Sequence, residues 1–547
     1  MDKNNNPLSK SYERELSVLS PFEIKNELIA LAKADARKGT AAYLNAGRGN
    51  PNWIATRPRE AFFLMGQFAL QECRRVYSGD PGVAGIPSSD GIAARFEAYL
   101  ETVKDSEGGR LLTDSYRYMV DKLNAQPDEL VQEWAEAIIG DEYPTPVRIL
   151  KYAEAAIQPY MAQEMGNHAL GGGKEYDLFA TEGGTAAMCY IFDSLEANHL
   201  VQQGDKIALM TPIFTPYIEI PELDRYKFDV VNVQASARDE NGFHTWQYPK
   251  EEMDKLRDPS VKLVCLVNPS NPPSYRMSDQ DMQTLVDIVK NDNPNLIIVT
   301  DDVYGTFAKD FRSLMYELPY NTLCVYSFSK YFGATGWRLA VIGLAKDNIL
   351  DHLIANLSEE DKADLERRYS SLTTDVPGLK FIDRMVADSR AVALNHTAGL
   401  STPQQFQMSL FALMCLLDTE DAYKKRMQEL IHKRLNNLWK TTGFTLRPDE
   451  HRVGYYSELD MMVWAKNIYG EDFAKWLAKT YVPLDFVMRL AKQTATVLLN
   501  GSGFNGPEWS IRASLANLDS DSYLKIGAAI REILDGYYDK YQKTKDK

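Results

Sequence analysis

The run SFSKYFGATGWR, residues 327–338, sets Lys330 three residues after Ser327 and eight before Arg338, with Gly333 and Gly336 between. A primary amine in such a loop can condense with an aldehyde. Ser327, Ser329 and Arg338 can meet a phosphate dianion, the arginine through a forked, charge-assisted contact. Alone, a loop lysine reads as a solvated cation; the spaced serine, glycine and arginine partners favour chemistry.

Five further motifs carry groups that would complement that amine. TDDVY (300–304) closes the apolar run NLIIV with acids and a phenol, Asp301 and Tyr304; the bland alternative is that Asp301 or Asp302 caps the next element. NPSNPPS (268–274) follows KLVCLV and offers the Asn271 amide in a turn stiffened by proline. TEGGTAAM (181–188) has the form of a strand-to-helix junction, where Gly183, Gly184 and Thr185 would expose backbone N–H groups to a phosphate, or simply make a tight turn. TPIFTPY (211–217) holds Phe214, able to stack on a flat ring or to fill a core. WSIRASLAN (509–517) buries Arg512 in an apolar run, where a charge needs a partner: a bound carboxylate, or a structural salt bridge. An amine for a Schiff base, an acid for a pyridinium nitrogen, hydroxyl and cationic groups for a phosphate, and a flat side chain over a ring are what pyridoxal phosphate asks of a protein.

The elements that must position these groups alternate. Strand-like runs are YDLFATE (176–182), KIALMTP (206–212), KFDVVNV (227–233), KLVCLVN (262–268), NLIIVTD (295–301), LCVYSFS (323–329) and LAVIGLA (339–345), with amphipathic stretches between several of them. Short apolar runs read as strands buried on both faces, and strand–helix alternation predicts an α/β domain around a mostly parallel sheet. An acid at the carboxyl end of a parallel strand points into the crevice where such sheets bind ligands. The flanks differ. Residues 22–37 read as an amphipathic helix. Residues 346–430 read as helical and charged, with SEEDKADLERRYSS a solvated face. Residues 431–547 read as an α+β unit, with YSELDMMVW and WSIRASLA as strands and a long final helix. The division expected is 1–140 as a helical extension and part of a small domain, 141–345 as the large domain, 346–430 as an interdomain segment, and 431–547 as the rest of the small domain.

The 547 residues exceed what one core usually holds, and 44% hydrophobic with 25% charged is ordinary for a soluble globular chain. A net charge of −15 argues against a nucleic-acid surface, which needs a basic stripe. Five scattered cysteines without a CxxC pair predict neither a disulfide framework nor a metal cluster, and Cys265 and Cys324 read as core thiols. A polar N-terminus and the lack of an 18-residue apolar run predict a cytoplasmic protein that does not enter a membrane.

Taken in this chain order, the motifs resemble the aspartate aminotransferase family, fold type I of the pyridoxal-phosphate enzymes, over roughly residues 140–345 and 400–535. The resemblance implies a seven-stranded, mostly parallel large domain and a smaller α+β domain built from both ends of the chain. It implies that Lys330 carries the cofactor and acts as catalytic base, and that Asp301 holds the ring nitrogen. Tyr304 and Asn271 hold the phenolic oxygen. Gly183, Gly184, Thr185, Ser327, Ser329 and Arg338 hold the phosphate. Phe214 stacks, Arg512 binds the substrate α-carboxylate, and Gly47 allows close backbone approach. Tyr143, in GDEYPTPVRIL, is similar to the tyrosine such dimers lend to a neighbour's phosphate site. The phrases LNAGRGNPNW (44–53), GDEYPTPVRIL (140–150), SFSKYFGATGWRLAVIG (327–343) and HTAGLSTPQQFQM (396–408) further resemble the bacterial L-aspartate 4-decarboxylases, which release CO2 from the aspartate side chain, give L-alanine and keep some transaminase activity. That implies L-aspartate as substrate and a homodimer at least, of the kind that builds a hexamer of dimers.

One departure concerns the distal carboxylate. Where dicarboxylate aminotransferases use an arginine from the neighbouring subunit, this chain has Asn395-His396-Thr397. A tight ion pair on a departing carboxylate would favour the ground state. Arg37, Arg48 and His396 are the candidates for positioning it, with a helix C-terminal cation the alternative for Arg37. The rival readings are an aspartate or aromatic aminotransferase and a noncatalytic protein that keeps the fold for regulation.

Overall fold

The computed structural model describes residues 8–36, 43–143, 147–166, 176–392, 394 and 399–545. Its strands are β1 (Leu44–Asn45), β2 (Tyr176–Thr181), β3 (Lys206–Thr211), β4 (Asp229–Gln234), β5 (Val261–Val267), β6 (Ile297–Asp301), β7 (Thr322–Ser327), β8 (Ala340–Ala345), β9 (Tyr456–Asp460), β10 (Thr496–Val497), β11 (Leu499–Asn500) and β12 (Ser510–Ser514). All seven strands expected in the middle of the chain form, and they make one sheet in the order β2-β8-β7-β6-β5-β3-β4. Alternate side chains enter cores on opposite faces. In β5, Leu263, Cys265 and Val267 face one core, while Val264 and Leu266 face the other. That explains the uninterrupted apolar sequence, and both Cys265 and Cys324 are fully buried.

Only β8 runs against its neighbours, antiparallel to both β7 and β2. The turn from β7 to β8 is therefore a local connection, with Ser327 opposite Ala340. It contains Lys330 and lies where the chain leaves β7. Since β2, β3, β5, β6 and β7 run the same way, five strand ends deliver their loops to the same edge of the sheet, the usual place for a ligand in an open α/β sheet.

A second, antiparallel sheet, β11-β12-β9, faces that edge. Its register sets Arg512 between Leu499 and Glu458. The long helices Ala422–Thr442 and Ser522–Lys545 pack against each other beside it. The early chain joins this unit: helix Pro21–Ala36 lies on helix Asp485–Thr494, and β1 pairs with β10, Leu44 opposite Thr496. YSELDMMVW is not one strand. It divides at Asp460, whose carboxylate accepts from Met462 N and Val463 N and caps helix Met461–Tyr469. A capping acid overrides the apolar run that follows it.

Helices Arg57–Val76, Ile92–Val103, Glu107–Leu123 and Pro127–Ile139 enclose an aromatic core in which Phe68 meets Phe96 at 4.9 Å and Phe96 meets Tyr116 at 5.5 Å. Helix Thr402–Leu416, buried along almost its whole length, ties this bundle to helix Lys151–Met165, which in turn packs on β2. Helix Glu359–Tyr369 buries only Leu365 and Tyr369, as a solvated face should. Among the described residues no helix is long and apolar enough to cross a membrane.

Candidate active site

The loops leaving the strand ends and the facing edge of the second sheet enclose a cavity of about 300 Å³. Eleven of the residues singled out above line it: Gly184, Thr185, Phe214, Asn271, Asp301, Tyr304, Ser327, Ser329, Lys330, Arg338 and Arg512. Lys330 and Asp301 thus share one cleft, although they leave different strands.

Asp301 ends β6 and is 7% exposed; its Oδ1 accepts from Val303 N at 3.2 Å. Burial pushes its carboxyl up to about 7, the Val303 N–H draws it back, Asp302 raises it, and the Lys330 ammonium lowers it. Asp302 is a different case. It accepts from Thr300 Oγ1 at 2.6 Å and from Cys324 Sγ at 3.4 Å, and it turns away from the cavity into the core. The two adjacent acids are thereby separated into one facing the cleft and one structural.

Lys330 Nζ donates to Gly49 O at 3.2 Å. Ser327 Oγ bridges Ser329 Oγ at 3.0 Å and Leu339 O at 3.1 Å, which fixes the base of the loop. Arg338 is exposed and holds a left-handed backbone, φ +57°, with Nη1 donating to Thr335 O at 3.0 Å. A non-glycine residue in that region is strained. Gly183, at φ +96°, lies directly against it: a Cβ there would stand 2.2 Å from Arg338 Nη2. Helix Gly184–Ala197 opens next, so its free N–H groups, the two serine hydroxyls and a guanidinium surround one corner of the cavity. That corner is suited to a dianion.

Arg512 is 1% exposed, and its partners are neutral oxygens rather than the carboxylate of a salt bridge: Nη1 donates to Asn271 Oδ1 at 3.0 Å and Nη2 to Gly47 O at 3.0 Å. Its guanidinium also lies 4.5 Å from the Tyr456 ring centre and 4.7 Å from that of Phe504. Its Nε has no hydrogen-bond partner among the described residues, so the guanidinium keeps a donor for an incoming carboxylate.

Not every expected residue lies here. Gly47 contributes its carbonyl to Arg512; the tighter approach belongs to Gly49, where a Cβ would meet the Tyr456 hydroxyl at 2.2 Å. Arg48 is exposed and does not line the cavity, because the segment turns its neighbours' backbone inward instead. Tyr143, expected to serve a neighbouring subunit's site rather than its own, is 70% exposed on the surface. Arg37, Asn395, His396 and Thr397 lie outside the described residues. Sequence reading missed Phe22, which meets Phe214 edge-on at 6.3 Å, and the pair Tyr455-Tyr456. Tyr455 Oη donates to Gly49 O at 2.8 Å, and the Tyr456 and Tyr304 hydroxyls are 2.9 Å apart. The doubled tyrosine before SELD was a signal, but as sequence it only extends a strand.

Residues 142–530 match the family model described as aminotransferase class I and II. The chain belongs to that family. It is 48% identical over 98% of its length, and 99% of the relative's, to a bifunctional aspartate aminotransferase and L-aspartate beta-decarboxylase of a Pseudomonas species. The fold is that of solved aminotransferases. An aspartate aminotransferase of Thermus thermophilus superposes with a TM-score of 0.58 at 14% identity, over 94% of this chain and 97% of that one. One from Rhizobium meliloti gives 0.57 at 16% identity, over 94% and 96%.

Proposed function

We propose that this chain is a pyridoxal-phosphate enzyme that removes the β-carboxylate of L-aspartate to give L-alanine and CO2, with aminotransferase activity on the side. The observation that carries the reading is the shared cleft of Lys330 and Asp301, with Arg512 facing them from the second sheet. The relative that matches nearly end to end supports aspartate as substrate and β-decarboxylation together with transamination.

The donor set fits the cofactor. Lys330 supplies the amine, and Asp301 a buried acid that a cationic ring nitrogen would stabilise in its charged form. Tyr304 and Asn271 serve the phenolic oxygen, Phe214 the ring face. The glycine-bounded corner made by Gly183, Gly184, Thr185, Ser327, Ser329 and Arg338 serves the phosphate. When bound, pyridoxal phosphate supplies an electron sink for the pair left on the substrate when a bond at Cα or Cβ breaks. The protein's part is to place and protonate. Arg512 holds the α-carboxylate by a two-pronged contact, which fixes which bond faces Lys330. The Lys330 amine, freed when substrate takes its place, removes the Cα proton and later returns it. Among the described residues no arginine beyond Arg338 and Arg512 lines the cavity to clamp the side-chain carboxylate, so none of them opposes its departure.

The N-terminal bundle exposes Phe63, Leu70, Val76, Tyr77, Val83 and Ile86. Exposed apolar residues of this kind support assembly beyond a monomer; the resemblance to the decarboxylases is the ground for reading it as a dimer that builds a hexamer of dimers, in the cytoplasm. Light scattering of the purified protein tests the assembly. The function is tested with L-aspartate as sole substrate. CO2 and alanine without added keto acid are expected; a strict need for keto acid would leave an aspartate or aromatic aminotransferase instead. Lys330→Ala should abolish both the products and the visible absorbance of the bound cofactor.

A further inference from the structure

We propose that Tyr456 is a positioning residue that acts on the cofactor through Tyr304, lowering the pH at which the nitrogen joining Lys330 to the cofactor loses its proton. This rests on the cofactor reading above and adds a residue to it. Tyr304 follows β6 in the large sheet, and Tyr456 opens β9 in the second; their hydroxyls meet at 2.9 Å across the cleft. Both residues are 3% exposed. Their rings are locked at 5.5 Å edge to face, with Tyr455 packed at 4.9 Å from Tyr304 and 5.0 Å from Tyr456. The contact is therefore a built feature of the cleft.

The direction of the proton follows from counting. A phenol has one proton to give. If Tyr304 gives its proton to the cofactor's phenolic oxygen, its own oxygen can only accept, and the donor must be Tyr456. Burial, then Tyr456 and Tyr455, hold the Tyr304 phenol far above its ordinary pKa, so it remains a donor. A donor that is itself hydrogen-bonded at oxygen donates more strongly. The Arg512 guanidinium, 4.5 Å from the Tyr456 ring centre, polarises that phenol in the same sense. The ionisable groups facing the pair are Asp301 and Lys330 from the large sheet, Tyr455 and Arg512 from the second, and Arg338 across the cavity; Lys25 lies within electrostatic reach of Arg512 and Arg48.

A phenolic oxygen carrying negative charge holds a proton on the nitrogen beside it. Hydrogen bonding draws that charge away, and the proton leaves at lower pH. Tyr456→Phe removes one oxygen atom and should weaken the Tyr304 bond without breaking it. The test is a spectrophotometric pH titration of the holoenzyme's visible band, without substrate, in wild type, Tyr456→Phe, Tyr304→Phe and the double variant. The midpoint should rise by roughly 0.3–0.6 of a pH unit in Tyr456→Phe, the size of a modest strengthening of one charge-assisted bond. It should rise more in Tyr304→Phe, and removing the Tyr456 hydroxyl from that background should add nothing. A midpoint unmoved in Tyr456→Phe, or an equal further shift in the double variant, overturns the relay. A wild type with no visible band to titrate would instead sink the cofactor reading, so the two failures are distinct.

Discussion

Replacing Gly183 with alanine should separate two penalties that the structure sets side by side. The first belongs to the backbone. At φ +96° and ψ 164° Gly183 occupies a region essentially closed to other residues, so alanine there costs on the order of 1–3 kcal/mol of stability whether or not cofactor is bound. The second belongs to the site. The new Cβ would stand 2.2 Å from Arg338 Nη2. The end of an arginine side chain can give way cheaply, but only by leaving the corner read as the phosphate site. One lost hydrogen bond to a charged group is worth about 1.5–3 kcal/mol, or roughly 10–150-fold in Kd. Thermal unfolding of the cofactor-free protein measures the first penalty, and absorbance titration with pyridoxal phosphate the second. Gly336→Ala is the control: a Cβ there meets nothing within 4 Å, so stability should change by less than about 0.5 kcal/mol. If Gly183→Ala bound cofactor as tightly as wild type, the phosphate assignment of this corner would be wrong.

Gly333→Ala, three residues from that control, should be far worse, because its Cβ would lie 1.9 Å from the Trp53 carbonyl oxygen, which is backbone and cannot yield; low soluble yield or a strongly reduced melting temperature is the outcome to measure. The Asp301 acid gives a pH prediction. Its pKa rises from 3.8 to about 7 on burial, so the cofactor-free fold tolerates it fully below about pH 4 and loses stability as pH climbs through 7. The limiting cost, at about 1.4 kcal/mol per tenfold, is on the order of 4 kcal/mol. Cofactor-free Asp301→Asn should therefore melt higher than wild type at pH 8 and equally at pH 4, while losing affinity for pyridoxal phosphate; equal melting at both pH values would refute the burial argument.

Much of this arrangement was legible in the chain itself. The seven strands announce themselves because a sheet covered on both faces needs apolar residues at every position, and KLVCLV or LCVYS can hardly be anything else. The lysine, the buried acid and the late arginine were visible because each breaks its local pattern: an amine in a glycine-rich loop, a carboxylate ending an apolar strand, a guanidinium inside one. What stayed hidden follows the pattern too well. Tyr455 and Tyr456 extend a strand in an ordinary way, and only the approach of two sheets shows that one hydroxyl meets Tyr304, 152 residues earlier. Phe22 reads as the apolar face of a helix, which it also is. The reversal at Asp460 was lost because MMVW is equally good in a strand or a helix, and the capping geometry decides.

The early segment around Gly47 and Gly49 has a consequence for how the molecule is made. Gly47 O takes its hydrogen bond from a residue 465 positions later, and Gly49 O from two that follow it by 281 and 406. At about 5–20 residues per second, a ribosome needs roughly 20–90 s to deliver the last of these partners. Through that interval the beginning of the chain is out and unmatched, its apolar surface without the helix and strand that will cover it. Newly made chains should thus depend on chaperone protection until the final hundred residues emerge, and a truncation there should unsettle the first fifty residues more than the strands in between.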